Sequence, residues 1–218
     1  MAIELWAAFA LASCVLLIIP GPTILTVISY SVAHGSRANI PLVLAVALGD
    51  TTALALSLLG LGAVLATSAW LFTVVKWVGG LYLIYLGIKL FISGATPPTV
   101  ENAGALDSRW KLFGNTWLVT ALNPKGMVFF IAFLPQFINA SQPAGPQLWI
   151  LSATFVLLAT LNAALYSIFA ASARRLLLSE KAQRRFNTSG GSLLTLAGIW
   201  GANCKTTSVK GLYRSWVD

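Results

Sequence analysis

Asp50 and Lys125 are the residues of this chain whose types and positions could do chemistry. Asp50 lies in the apolar run Ala45-Val46-Ala47-Leu48-Gly49-Asp50-Thr51-Thr52, where a charge at the centre of a membrane span costs about 2.5–3.5 kcal/mol. A carboxylate kept there suits the exchange of a proton or the holding of an ammonium group. Lys125 follows Asn123-Pro124 directly, and another interruption, Pro20-Gly21-Pro22, begins 104 residues before Pro124. Proline has no amide hydrogen, so Pro20, Pro22 and Pro124 leave the carbonyls of Leu16, Ile18 and Thr120 without helical partners. In lipid such breaks survive where they line a polar cavity.

The two breaks predict a binding site. If Asn123 caps a half-helix opening at Pro124, its first free amides carry partial positive charge and Lys125 adds a full one. A half-helix opening at Pro22-Thr23 presents the same kind of end from the other half. Two such ends receive a carboxylate. With Asp50 opposite to take an ammonium, the cavity fits a zwitterion such as an amino acid. The candidate binding residues are therefore Pro20, Gly21, Pro22, Thr23, Asp50, Asn123, Pro124 and Lys125, with Asp50 also the proton-coupling group. Blander readings stand beside these. Asp50 could form a structural ion pair with Lys76 or Lys125, and Lys125 could snorkel to the inner interface. Thr23, Thr26 and Tyr30 could line one polar face, or their hydroxyls could bond back to their own helix. Asn162 is a further cavity candidate, with an interhelical hydrogen bond as its alternative.

The elements that position these residues follow from hydropathy. Of 218 residues 57% are hydrophobic and 9% charged, against roughly one-quarter charged in soluble domains. This predicts an all-α integral membrane protein, in which a span needs about 20 mostly apolar residues. Six spans are expected: Leu5–Ala33, Pro41–Ala66, Ala69–Ile92, Leu112–Ile138, Leu148–Ala171 and a weaker Thr188–Cys204. They form one transmembrane domain of two halves, 1–92 and 112–204, joined by a polar loop at 93–111 and followed by the atypical tail 205–218. Three spans precede the second half, so its first helix enters from the opposite side. The halves are therefore expected to be inverted repeats with proline-broken first and fourth helices.

Charge sets the orientation. His34, Arg37, Lys89, Arg109, Lys111, Arg174, Arg175, Lys181, Arg184 and Arg185 fall beside the first, third and fifth connections, while Asn139–Gln147 carries no charge. Basic loops stay cytoplasmic, which places the amino terminus outside. Trp6, Trp70 and Trp149 then lie at the outer boundary and Trp110 at the inner one. The early apolar run has no preceding positive charge, and Cys14 is followed by further apolar residues, so neither a signal peptide nor a lipoprotein box is expected.

Several function classes are excluded by what the chain lacks. The net charge of +8 is spread over short loops and makes no folded basic face for nucleic acid. One histidine, His34 at a loop, and two distant cysteines, Cys14 and Cys204, suit neither a catalytic dyad nor a metal site. No enzyme activity, metal or cofactor is expected. The partners are the lipid bilayer and a small-molecule substrate, and the glycines dotting the spans leave a homo-oligomer open. Rival readings are efflux of a cation or other small solute, and a membrane scaffold that transports nothing.

At these positions the chain resembles the LysE/RhtB family of bacterial amino-acid exporters. The likeness runs from about Leu5 to Leu194. IPGPTILTVISYSVAHGSRAN is similar to the family's first-helix signature, LAVALGD to its second-helix Gly-Asp, KWVGGLYLIYLGIKLF to its third helix and NPKGMVFFIAFLPQF to its fourth-helix signature. The resemblance implies a multi-pass protein of the bacterial inner membrane that exports amino acids of the homoserine, threonine or lysine type by proton antiport. It also implies functional roles for Pro20, Gly21, Pro22, Asp50, Asn123, Pro124 and Lys125. After Leu194 the pattern departs: GIWGANCKTTSVKGLYRSWVD is polar and basic where a hydrophobic helix usually finishes.

Overall fold

The computed structural model describes residues 1–67, 108–139 and 142–170, with isolated positions between 74 and 92 and between 172 and 199. Apart from those positions, the expected third and sixth spans, most of the loop 93–111 and the tail 205–218 lie outside the described residues. So do Trp70, Lys76 and Cys204.

Apolar helix-forming residues give α1 (Ile3–Ile18), which ends where the chain turns extended at Ile19, one residue before Pro20. The helix resumes as α2 (Pro22–His34), with Gly21 at the N-cap and Pro22 pre-set for the first turn. The first expected span is thus two half-helices. Gly35, at φ 64° and ψ −157°, takes a backbone conformation open to glycine, and a 3₁₀ turn (Gly35–Ala38) leads into α3 (Asn39–Thr67). Thr23 and Asp50 each stand eleven residues from the edges of this turn, His34 and Asn39. Equal helical rises of roughly 16 Å lead from the turn to both residues, and both line the same cavity.

The second broken span is built alike. Ser108 caps α4 (Arg109–Ala121), Asn123 caps α5 (Pro124–Val128), and the helix continues through a π turn (Phe129–Phe133) and a 3₁₀ turn (Leu134–Phe137). Pro135 lacks the amide that would bond Ile131, which accounts for the irregular turns around it. The last long helix is α6 (Ala144–Ile168). Helical stretches within Pro22–Gly60, Arg109–Phe137 and Ala144–Ile168 are long and apolar enough to cross a membrane. Among the described residues there are no strands.

Packing sorts the molecule into ends and layers. At one end the amino terminus donates to Gln142 (2.9 Å), and the buried Gln147 side chain ties together the turn from Asn139 to Pro143. At the other, Ser167 bonds both Ser31 and Asn39 (2.8 Å each), and Asn115 donates to Tyr30 (2.6 Å). His34, Arg37 and Arg109 belong to this second end, which carries the basic connections. Between the site and the first end lie the phenylalanines Phe9, Phe129, Phe130, Phe133, Phe137 and Phe155, all nearly or wholly buried. Toward the basic end lie smaller clusters, Val27, Val46 and Ala163, and then Tyr30, Ala38, Leu42 and Leu112. The stripe Ile40, Leu44, Leu48 and Leu59 is exposed on the other face of α3, as a lipid-facing surface requires. Trp149 and Trp110 are exposed at opposite ends.

Candidate functional site

Both proline breaks, α3 and α6 meet around one cavity of about 40 Å³, room for a few water molecules. Its walls are Leu16, Leu17 and Ile19 of the first break, Gly21, Thr23 and Ile24 opening α2, and Val46 and Asp50 of α3. Asn123, Lys125 and Gly126 come from the second break, and Phe155, Ala159 and Asn162 from α6. Of the eight residues expected from sequence, Gly21, Thr23, Asp50, Asn123 and Lys125 line it. Pro20, Pro22 and Pro124 form the breaks that shape it, with Pro22 and Pro124 exposed.

Each carbonyl freed by a proline has a substitute donor. Leu16 O accepts from Lys125 Nζ at 2.6 Å, Ile18 O from the Tyr166 hydroxyl at 2.8 Å, and Thr120 O from the Asn123 amide at 3.1 Å. The neighbouring carbonyls are also held: Ile19 O by Lys125 Nζ at 2.7 Å and Leu17 O by Asn162 Nδ2 at 3.1 Å. Four successive carbonyls at the end of α1 thus receive donors from α5 and α6. In lipid each left unpaired would cost several kcal/mol on the order of a lost hydrogen bond in hydrocarbon.

Asn123 does two things. Its Oδ1 accepts from the Lys125 amide (3.1 Å), capping α5, and its Nδ2 donates to Thr23 Oγ1 (3.1 Å), joining the two breaks. The first bond closed by α2 runs from the Leu25 amide to Gly21 O (3.0 Å), so the amides of Thr23 and Ile24 precede the helical ladder. Gly21 stands beside Lys125, whose Cδ would lie 3.5 Å from a Cβ built there.

Asp50 is 9% exposed and lines the same cavity. It makes no ion pair with Lys125, whose ammonium turns to the carbonyls instead, and among the described residues its carboxylate has no hydrogen-bond partner. The alternative pairing with Lys76 lies outside the described residues. Beside Asp50, Gly49 lets α3 and α4 touch: a Cβ there would lie 2.6 Å from Thr120 Cβ. The flanking Thr51 and Thr52 hydroxyls bond back to Ala47 O and Leu48 O, so Asp50 is the polar group that α3 offers the cavity.

Of the two readings for Thr26, the bond back to its own helix holds, since its hydroxyl donates to Pro22 O (2.9 Å), while Tyr30 is engaged with Asn115 near the basic end. Tyr166 was missed. The signal was present, since Asn162 and Tyr166 stand four apart on α6 and share a face, and the freed carbonyls of the first break needed donors.

The family described as LysE type translocator matches residues 14–200. An uncharacterized membrane protein of Vibrio cholerae is 31% identical over 94% of this chain and 100% of its own. A homoserine/homoserine lactone efflux protein of Salmonella typhimurium is 30% identical over 91% of this chain and 96% of its own. A leucine efflux protein of an Enterobacter strain is 28% identical over 66% of this chain and 68% of its own. No solved structure gives a significant match.

Proposed function

The chain belongs to the LysE type translocator family, and on that premise we propose that it exports amino acids or related small metabolites from the cytoplasm by proton antiport. The substrates are of the homoserine, threonine or lysine type, a class suggested by relatives named for homoserine and leucine efflux. The setting is the bacterial inner membrane, crossed several times by two inverted three-helix halves, 1–92 and 112–204. Translocation leaves the substrate chemically unchanged.

The observation that supports this reading is the shared cavity. It is bordered by the starts of two half-helices, a buried carboxylate and a lysine, the groups needed to hold a zwitterion. The substrate carboxylate binds at the openings of α2 and α5, where amides and helix dipoles favour negative charge. A cavity of about 40 Å³ must widen to admit an amino acid, since ligand sites run to roughly 300–1,000 Å³. Widening toward the basic end parts the cluster of Val27, Val46 and Ala163 and then that of Tyr30, Ala38, Leu42 and Leu112. Asp50 takes a proton from outside as substrate leaves, and each proton moving inward yields about 2.3 kcal/mol per 100 mV.

Reconstitution tests this reading. Proteoliposomes containing the wild-type protein should transport one or more amino acids, faster with an opposing proton gradient. Asp50→Asn should lower the rate about tenfold or more and remove its dependence on pH. Flux for no amino acid would end the export reading, and normal rate and pH dependence in Asp50→Asn would end the proton role.

A further inference from the structure

Lys125 belongs by its backbone to the start of a helix, yet its ammonium binds at the end of another. A helix start favours anions and a helix end favours cations, and the lysine stem spans the cavity between them. Its Nζ donates to Leu16 O at 2.6 Å and to Ile19 O at 2.7 Å, two bonds from one side-chain nitrogen to another helix's end. The intervening carbonyls, Leu17 O and Ile18 O, are taken by the uncharged donors Asn162 and Tyr166. The end of α1 is therefore divided into a pair held by α6 and a pair shaped around an ammonium group. Asp50 lines the same cavity without forming an ion pair with that ammonium.

We propose that the carbonyls of Leu16 and Ile19 are the binding site for the substrate's ammonium group, and that Lys125 fills it as a tethered substitute until substrate arrives. This rests on the export reading and deepens it. The arriving carboxylate settles at the start of α2, where the amides of Thr23 and Ile24 precede the helical ladder, and draws the Lys125 ammonium toward itself. The substrate's own ammonium then replaces Lys125 on the two carbonyls, so none of these buried groups is left unpaired. A carboxylate without an amine draws Lys125 away and leaves Leu16 O and Ile19 O without donors, a penalty that selects amino acids over hydroxy acids.

The test removes the tethered ammonium and supplies a free one. Purified Lys125→Met, in detergent, should be stabilised against thermal unfolding by n-propylammonium chloride in a saturable way, at concentrations at least about tenfold below those acting on the wild type. Potassium chloride at equal ionic strength should not reproduce this. No saturable response, or an equal one in both proteins, would overturn the site. Should Lys125→Met fail to fold, purified Asp50→Asn carries the test. An exported amino acid should stabilise it at least about tenfold more tightly than the α-hydroxy analogue, whereas loss of that preference would assign the ammonium to Asp50 and overturn the proposal. Amine binding by Lys125→Met, in a protein whose wild type exports no amino acid, would remove the export reading alone.

Discussion

The two proline breaks solve the same backbone problem by different means. At the second, the chain repairs itself within a few residues: the Asn123 amide takes Thr120 O, and Asn123 Oδ1 takes the Lys125 amide. At the first, the repair comes from more than 100 residues away, through Lys125, Asn162 and Tyr166. A self-capped break can hold its shape whatever its surroundings do. A break capped by distant side chains keeps its shape only while those donors stay in place, so α1 is the half-helix whose end can be released when Lys125 Nζ or the donors on α6 let go. The difference assigns the fixed reference to the second break and the movable part to the first.

Replacing the donor on which the first break most depends should have the largest effect. Lys125→Met removes two hydrogen bonds and leaves two carbonyls unpaired, for a loss of about 3 kcal/mol in unfolding free energy, measured by reversible unfolding in mixed micelles. A loss under about 1 kcal/mol would mean that the first break does not depend on this distant cap. Asn123→Ala comes next, at about 1.5 kcal/mol, for loss of the cap on α5 and of the Thr23 bond. Its damage should stay local: amide exchange should accelerate at Lys125–Val128 and be unchanged through α1. Faster exchange along α1 would erase the contrast between a self-supporting break and a dependent one.

The same contrast explains what could be read from the sequence. Asn-Pro-Lys announces its own cap, because the capping side chain sits one residue before the proline. The helix bounds of four expected spans agree with the structure to within a few residues, since hydropathy over 20 residues is a local property. Pro20-Gly21-Pro22 announces only an interruption. Which side chains supply its donors depends on how α6 packs on α1, and Tyr166 looks from sequence like an ordinary interfacial aromatic. Thr23 and Asp50 were legible as polar residues in apolar spans, but their meeting on one cavity depends on the tight turn at Gly35. Thr26 shows the limit from the other side: a hydroxyl in a span can be satisfied one turn back along its own helix, and no pattern of spacing separates it from one that lines a cavity.

Tyr166→Phe removes one donor to the first break without altering packing, and it should cost about 1 kcal/mol. Because the ring stays in place, substrate affinity should change little while hydrogen exchange at the end of α1 rises. A change confined to α6 would mean that Tyr166 does not hold α1.

The smallest effect is expected where the breaks touch each other. Thr23→Val keeps the shape of the side chain but removes the acceptor for Asn123 Nδ2, the 3.1 Å bond that joins the two breaks. Interhelical hydrogen bonds in membranes average about 0.6 kcal/mol, and the cap on the Lys125 amide uses Asn123 Oδ1, which this change leaves alone. If each break holds its shape without this bond, Thr23→Val should therefore cost about 0.6 kcal/mol and its effect should add to that of Tyr166→Phe within about 0.5 kcal/mol. A loss above about 1.5 kcal/mol, or strong coupling between the two substitutions, would mean that both breaks yield together. Movement of α1 would then have to carry the opening of α5 with it, and the second break could no longer serve as the fixed side of the site.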